Sequence, residues 1–308
     1  MTDGEELNAN GDIADRDFKY YIFDWDDNIL HMPTRIHLER LNEAGEWEPH
    51  SVSTSVFSVV RNDEKYRPPD GDWENAFCDF RDLAHWEESA FLADARKALE
   101  PVTSGREEGA PSFQRFKTAL IEGRLFAIVT ARGHYSETIR KGVEYFIEQV
   151  LSTGERASMI RNLRGYKEEF EEEHESLSDE EVLAEYLDLN RYHAVTSPEF
   201  QKLLGAHRAG SASQEFAKQV AIEDFVRHII RIVKSKPYLD KPISVGFSDD
   251  DPHNIKAVEA FIANRLAREF AGIKFVIYDT SDPEQEYGRK IIVTGQLELN
   301  FEVGGDPN

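Results

Sequence analysis

Apolar and polar positions alternate along this chain in blocks, and three of the apolar blocks end abruptly in chemically active side chains. The first is Tyr20-Tyr21-Ile22-Phe23, which runs into Asp24-Trp25-Asp26-Asp27-Asn28 before turning apolar again at Ile29-Leu30. The second, Leu125-Phe126-Ala127-Ile128-Val129, ends in Thr130 and Arg132. The third, Ile243-Ser244-Val245-Gly246-Phe247, ends in Ser248-Asp249-Asp250-Asp251. Short apolar runs bounded by polar turns read as buried strands. Further strands are expected at Ile273–Asp279 and over 290–294. Apolar spacing of three and four predicts helices over 112–122, 136–151 (Ile139, Val143, Phe146, Ile147, Val150) and 255–270. Ser178-Asp179-Glu180-Glu181 has the form of a capping box for a helix through about Leu187, and Ser211-x-x-Gln214 that of another. Alternation in Thr34–Leu41 and Ser53–Val60 around the turn Asn42–Glu46 predicts a β-hairpin. Pro68–Asp72 and 101–111 read as loops, and the spacing of Phe77, Phe80, Leu83, Trp86, Phe91 and Leu92 suggests helix.

Strands alternating with helices imply an α/β fold, with a mostly parallel central sheet and helices on both faces. The core is assigned to 18–30, 113–151 and 213–300. Residues 31–112 form an insertion with a β-hairpin flap and a helical cap-like segment, and 152–212 an acidic helical insertion. The ends, 1–17 and 301–308, read as loose tails. The run Lys167–Glu175 is expected to be a solvated helical excursion, as charge runs usually are. Trp73 and Trp86 are candidates for core or interface, and the oligomeric state stays open.

Charge narrows the function classes. With 36 Lys and Arg against 59 Asp and Glu among 308 residues, the net charge is −23, which argues against general nucleic-acid binding and against an anionic membrane surface. Cys78 is the lone cysteine, so neither an intrachain disulfide nor a multi-cysteine zinc site can form. The acidic start has no apolar signal region and no run approaches transmembrane length, so a soluble, cytoplasmic protein is expected.

Asp24 and Asp26 stand two apart at a strand end, and strand side chains two apart point the same way. Two such carboxylates repel unless a cation or a phosphoryl group lies between them. The spacing Asp24-x-Asp26-x-Asn28 also opens like a calcium loop. That loop needs Gly at its sixth position and Glu at its twelfth, where this chain has Ile29 and Arg35.

In their order along the chain, the Asp-x-Asp strand end, the strand ending in Thr130 and the strand ending in an acidic pair resemble the first, second and fourth motifs of the haloacid dehalogenase (HAD) superfamily. The resemblance implies a Rossmann-like HAD fold with inserted flap and cap elements, and a magnesium-dependent phosphohydrolase acting on a small phosphorylated substrate. It implies Asp24 as nucleophile, Asp26 as general acid and base, and Thr130 as hydrogen-bond donor to the phosphoryl group. Lys218 is the candidate for the third-motif lysine, with Lys202 as runner-up. Mg2+ would be held by Asp24, the backbone carbonyl of Asp26, and Asp249 or Asp250. Arg132 is expected to contact substrate phosphate, with a salt bridge to the acidic loops as its alternative, and Asn28 is placed among the substrate-binding residues. His134 and His253 are read as polar surface. The first motif departs from the family form, which has Gly and Thr where Asp27 and Asn28 stand. This leaves open the turn and the hydrogen bond those residues would supply. A phosphotransferase or mutase on the same scaffold, and a catalytically silent binding module, are the alternative functions. The dehalogenase reaction itself is disfavoured by the presence of Asp26.

Overall fold

The structure is a computed structural model that describes residues 17–83, 89–170, 177–205, 213–235, 241–282, 284–285 and 288–293. The expected tails apart from Asp17, together with Trp86, Ser211, Glu171–Glu175 and the core segment assigned to 294–300, lie outside the described residues.

β1 (Phe18–Phe23) runs up the middle of the main sheet. The chain then leaves for a small sheet made of β2 (Ile36–Leu41), β3 (Trp47–Val52) and β4 (Tyr66–Arg67), with α1 (Thr54–Val60) between the last two. α2 (Trp73–Ala76), α3 (Ala90–Thr103) and α4 (Phe113–Ile121) lead back to β5 (Phe126–Thr130). α5 (Ser136–Val150), α6 (Thr153–Phe170) and α7 (Asp179–Leu189) form the crossover to β6 (Arg191–Ala194). α8 (Pro198–Gly205) and α9 (Gln214–Lys234) precede β7 (Ile243–Asp249). α10 (Pro252–Phe261) then leads through a π turn to β8 (Ile273–Asp279) and β9 (Arg289–Val293).

Among the described residues the main sheet has six strands in the order β6-β5-β1-β7-β8-β9. All neighbours are parallel except β9, which pairs antiparallel with β8 at the edge. Residues of β1 alternate between two cores. Tyr20 and Ile22 meet α9 and α10, whereas Phe23 meets α3 to α7. β5 divides likewise, with Ala127 and Val129 on one side and Phe126 and Ile128 on the other. Burial on both faces is why these strands read as unbroken apolar runs. No helix among the described residues is long and apolar enough to cross a membrane.

The structure corrects several expected elements. The hairpin exists, but its second arm is Trp47–Val52. Ser53–Val60 is instead helical, because the Ser53 hydroxyl caps it by accepting from the Val56 N–H and Phe57 and Val60 then fall together on the small core. The helix expected through the aromatics from Phe77 gives way to the single turn of α2 and a 3-10 turn at Cys78–Phe80, and regular helix begins at Ala90. Asp72 caps α2, and Arg81 forms an isolated parallel bridge with Gly133, in the loop after β5. α3 carries Pro101 and ends within a turn of it, so the loop starts at Ser104. Trp73 is 46% exposed and packs edge-on against Phe57.

Described residues of the segment 152–212, expected as an acidic helical insertion, take part in the main sheet and its core. Met159, Leu163, Val182, Tyr186 and Leu187 of α6 and α7 are core residues, and Arg191–Ala194 forms the edge strand beside β5. β6 was hidden because it is four residues long and half polar. Its start is fixed by Asn190, whose side-chain oxygen accepts from the Phe126 N–H at 2.7 Å. The capping box at Ser178 and Glu181 forms as expected. α9 is capped by Ser213, which accepts from the Phe216 N–H.

Candidate active site

β1 and β7 are parallel neighbours, so their carboxyl ends open on the same side of the sheet. In open α/β sheets, ligands bind at that side. The Asp24 N–H donates to the Ser248 carbonyl at 2.9 Å, which locks the two strand ends together. Carboxylate oxygens of Asp24, Asp249 and Asp250 thereby all come within 4.8 Å of one another. Lys218 reaches this group from α9. Its Nζ donates to Asp249 Oδ2 at 2.8 Å and lies 3.6 Å from Asp24 Oδ1, and the residue is 1% exposed. Lys202, on α8, is exposed. Asp249 Oδ1 also accepts from the Asp251 N–H at 2.9 Å and from Asn254 Nδ2 at 3.2 Å. Asp24 Oδ1 is buried and accepts no hydrogen bond.

Three carboxylates around one ammonium leave the group short of positive charge. Burial, then Asp249, Asp250 and Asp26, push Asp24 well above the usual carboxylate range, with Lys218 opposing. Burial, then Asp249 and Asp27, push Asp250 up to about 7. Burial alone would lower Lys218, but Asp24 and Asp249 hold it above the ordinary lysine value. The Asp24 oxygen that accepts no hydrogen bond and an all-oxygen donor set fit a hard divalent cation such as Mg2+.

Stability should follow from these shifts. A carboxyl such as Asp250, whose folded value lies above its unfolded value of ~4, stabilises the fold at pH below the unfolded value. That contribution is lost as pH rises through about 7. In chelator the protein is expected to melt lower at pH 8 than at pH 5, and magnesium is expected to raise the melting temperature more at pH 8. Thermal melts at the two pH values, with and without magnesium, check both.

Beside this group, Asp26 meets residues from β5. Arg132 grips its carboxylate with two nitrogens, Nη2 to Oδ1 at 2.6 Å and Nε to Oδ2 at 2.8 Å. The Thr130 hydroxyl donates to Asp26 Oδ2 at 3.3 Å. Arg132 is 1% exposed and takes the salt-bridge alternative, to Asp26, while its Nη1 has no hydrogen-bond partner. Thr130 stands at the end of β5, as expected, but is turned to Asp26.

Asn28 departs furthest from its expected role. It is fully buried, and its Nδ2 donates to the carbonyls of Asp24 and Ser248, each at 3.1 Å. Its Oδ1 accepts from Ser248 Oγ at 3.0 Å and Thr280 Oγ1 at 2.9 Å. All four of its hydrogen-bonding positions are filled by protein, so none is left for substrate. Asn28 is a staple joining β1, β7 and the end of β8. The turn is made despite the missing glycine, with Asp27 at φ +51°, a left-handed conformation that Asp tolerates better than most residues. Asn28→Ala is expected to lower unfolding free energy by about 3 kcal/mol, because its buried partners lose their bonds. Urea denaturation checks this.

Ser248, Thr280 and Thr34 were not singled out from the sequence. Thr280 follows β8, outside any motif, and its single hydroxyl proton is shared between Asn28 Oδ1 and the Asp249 carbonyl, each at 2.9 Å. His134 is fully buried, not surface, and neither ring nitrogen has a hydrogen-bond partner. Burial, then Arg132, push it down to about 4, which keeps the ring neutral. His253 is exposed beside Asp251. A cavity of about 410 Å³ lies at the opposite end of the sheet, against Phe18, Leu125 and Tyr186, far from these carboxylates.

Comparison with known proteins returned no matching family model, curated protein or solved structure.

Proposed function

We propose that this protein is a magnesium-dependent phosphohydrolase of the HAD type, cleaving a small phosphate monoester through an aspartyl-phosphate on Asp24. One observation carries the reading. Buried Lys218 joins the carboxylates of Asp24 and Asp249 at two adjacent strand ends, with Asp250 alongside. A purely structural cluster has little reason to bury two carboxylates against one lysine with a third, half-buried, alongside, since an unpaired buried charge costs several kcal/mol.

Asp24, Asp249 and Asp250 would hold the cation, with the Asp26 carbonyl as the resemblance implies. When bound, Mg2+ supplies positive charge against the phosphoryl oxygens. An ionised Asp24 oxygen attacks phosphorus, and the bond from phosphorus to the ester oxygen breaks. Asp26, protonated when the ester binds, on an oxygen lone pair that Arg132 leaves open, gives that proton to the leaving oxygen. It then takes a proton from a water that attacks the aspartyl-phosphate, which releases inorganic phosphate and restores Asp24. Lys218 lies close enough to Asp24 to neutralise charge developing on the phosphoryl group. The Thr130 hydroxyl, now on Asp26, is positioned to turn toward that group.

Phosphate release from a panel of monoesters, with magnesium and with chelator, tests the reading. Turnover that requires the metal supports it. A well-folded protein that releases no phosphate from any ester contradicts it and favours the binding-module alternative.

A further inference from the structure

Arg132 is a buried cation whose contacts span two parts of the protein. Its carboxylate partner is Asp26, after β1. The other described contacts of its guanidinium come from residues 31–112. Nη2 donates to the Thr34 hydroxyl at 2.7 Å, and the guanidinium faces the Phe80 ring at 4.9 Å and the Phe91 ring at 5.2 Å. The loop that carries Arg132 is clipped to the same segment. The Gly133 N–H donates to the Phe80 carbonyl at 2.8 Å. The Asp82 carboxylate accepts from the Tyr135 N–H at 2.8 Å and the Thr138 hydroxyl at 2.9 Å.

We propose that Arg132 is a positioning residue that sets the carboxylate of Asp26, and that Thr34 and Phe80 hold it in that role. The proton-transferring group would then be in place only while the 31–112 segment is docked on the loop after β5. The inference rests on the phosphohydrolase reading above. A two-nitrogen grip fixes a carboxylate in plane and distance as a lysine cannot. Phe80 and Phe91 restrict where the guanidinium can sit. Arg132 would act through Asp26, without touching substrate.

Leaving-group dependence separates this role from a structural one. A nitrophenolate leaves without much help from an acid, whereas an alkoxide needs its proton. The experiment compares wild type, Arg132→Met, Arg132→Lys and Thr34→Val on p-nitrophenyl phosphate and on glycerol 2-phosphate, with magnesium. For Arg132→Met, kcat/KM on the alkyl ester, which reports formation of the aspartyl-phosphate and not the water step common to both esters, is expected to fall about 10²-fold, the low end for a general acid. On the nitrophenyl ester the fall in kcat/KM should be within about tenfold. Arg132→Lys should recover part of the loss, and Thr34→Val should repeat the pattern more weakly. Should Arg132→Met fail to fold in thermal melts, Arg132→Lys and Thr34→Val decide by the same ratio. Equal losses of kcat/KM on both esters, or none, with an active wild type overturn the positioning role and leave the phosphohydrolase reading standing. A wild type that releases phosphate from no ester of the panel overturns the two together.

Discussion

Asp24→Asn is expected to abolish magnesium-dependent phosphate release, by a factor on the order of 10³ or more, the scale on which loss of a covalent nucleophile is felt. The side chain keeps its shape but loses the attacking oxygen and one charge of the cation site. The fold should not suffer. Asp24 is buried next to Asp249 and Asp250 and is pushed well above the usual carboxylate range, burial being the main cause. A neutral amide there relieves repulsion among the carboxylates. In chelator at pH 8 the variant is therefore expected to melt no lower than wild type, while losing part of the stabilisation that magnesium gives. Phosphate assays and paired melts check both halves. A variant that stays active removes Asp24 from the chemistry.

Lys218→Met is the second large expectation, and here both stability and activity fall. Lys218 is the buried ammonium that faces Asp24 and Asp249. Removing it leaves buried carboxylates without a counter-charge, a loss of about 3–5 kcal/mol. The defect should shrink as pH falls, because protonated carboxyls need no partner. It should also shrink with magnesium, which binds the folded state. Activity should drop at least about 10²-fold, as when a donor to developing oxyanion charge is removed. Urea denaturation at pH 5 and pH 8, with and without magnesium, measures the first effect. Unchanged stability at pH 8 in chelator would mean that the carboxylates do not depend on this lysine.

Why some of this could be read from the sequence, and the rest not, follows from the range of the interactions. β1, β5 and β7 were legible because both their faces are buried and their apolar runs stop where the backbone leaves the sheet. The approach of Asp24 to Asp249 followed once those strands were taken as parallel. Lys218 was harder. Its helix could be read, but its choice over Lys202 depends on how α9 packs across the sheet, a tertiary fact. The partner of Arg132 is 106 residues away in sequence, and Asn28 finds partners 220 and 252 residues on. No local pattern encodes such contacts. Local chemistry misled elsewhere: alternation in Ser53–Val60 suggested a strand, where a serine cap and the small core made a helix. His134 looked like loop surface, but the 31–112 segment covers the loop that carries it, with the Phe91 ring against the imidazole.

The most direct test is to trap the intermediate. The protein is mixed with a monoester it hydrolyses and magnesium, quenched in acid, reduced with borohydride, digested and read by mass spectrometry. Borohydride converts an aspartyl-phosphate to homoserine. Homoserine at position 24, absent in chelator and absent when inorganic phosphate release is absent, is the predicted result. Phosphate release with Asp24 unmodified under the same quench would contradict it, and would mean that water attacks the ester directly.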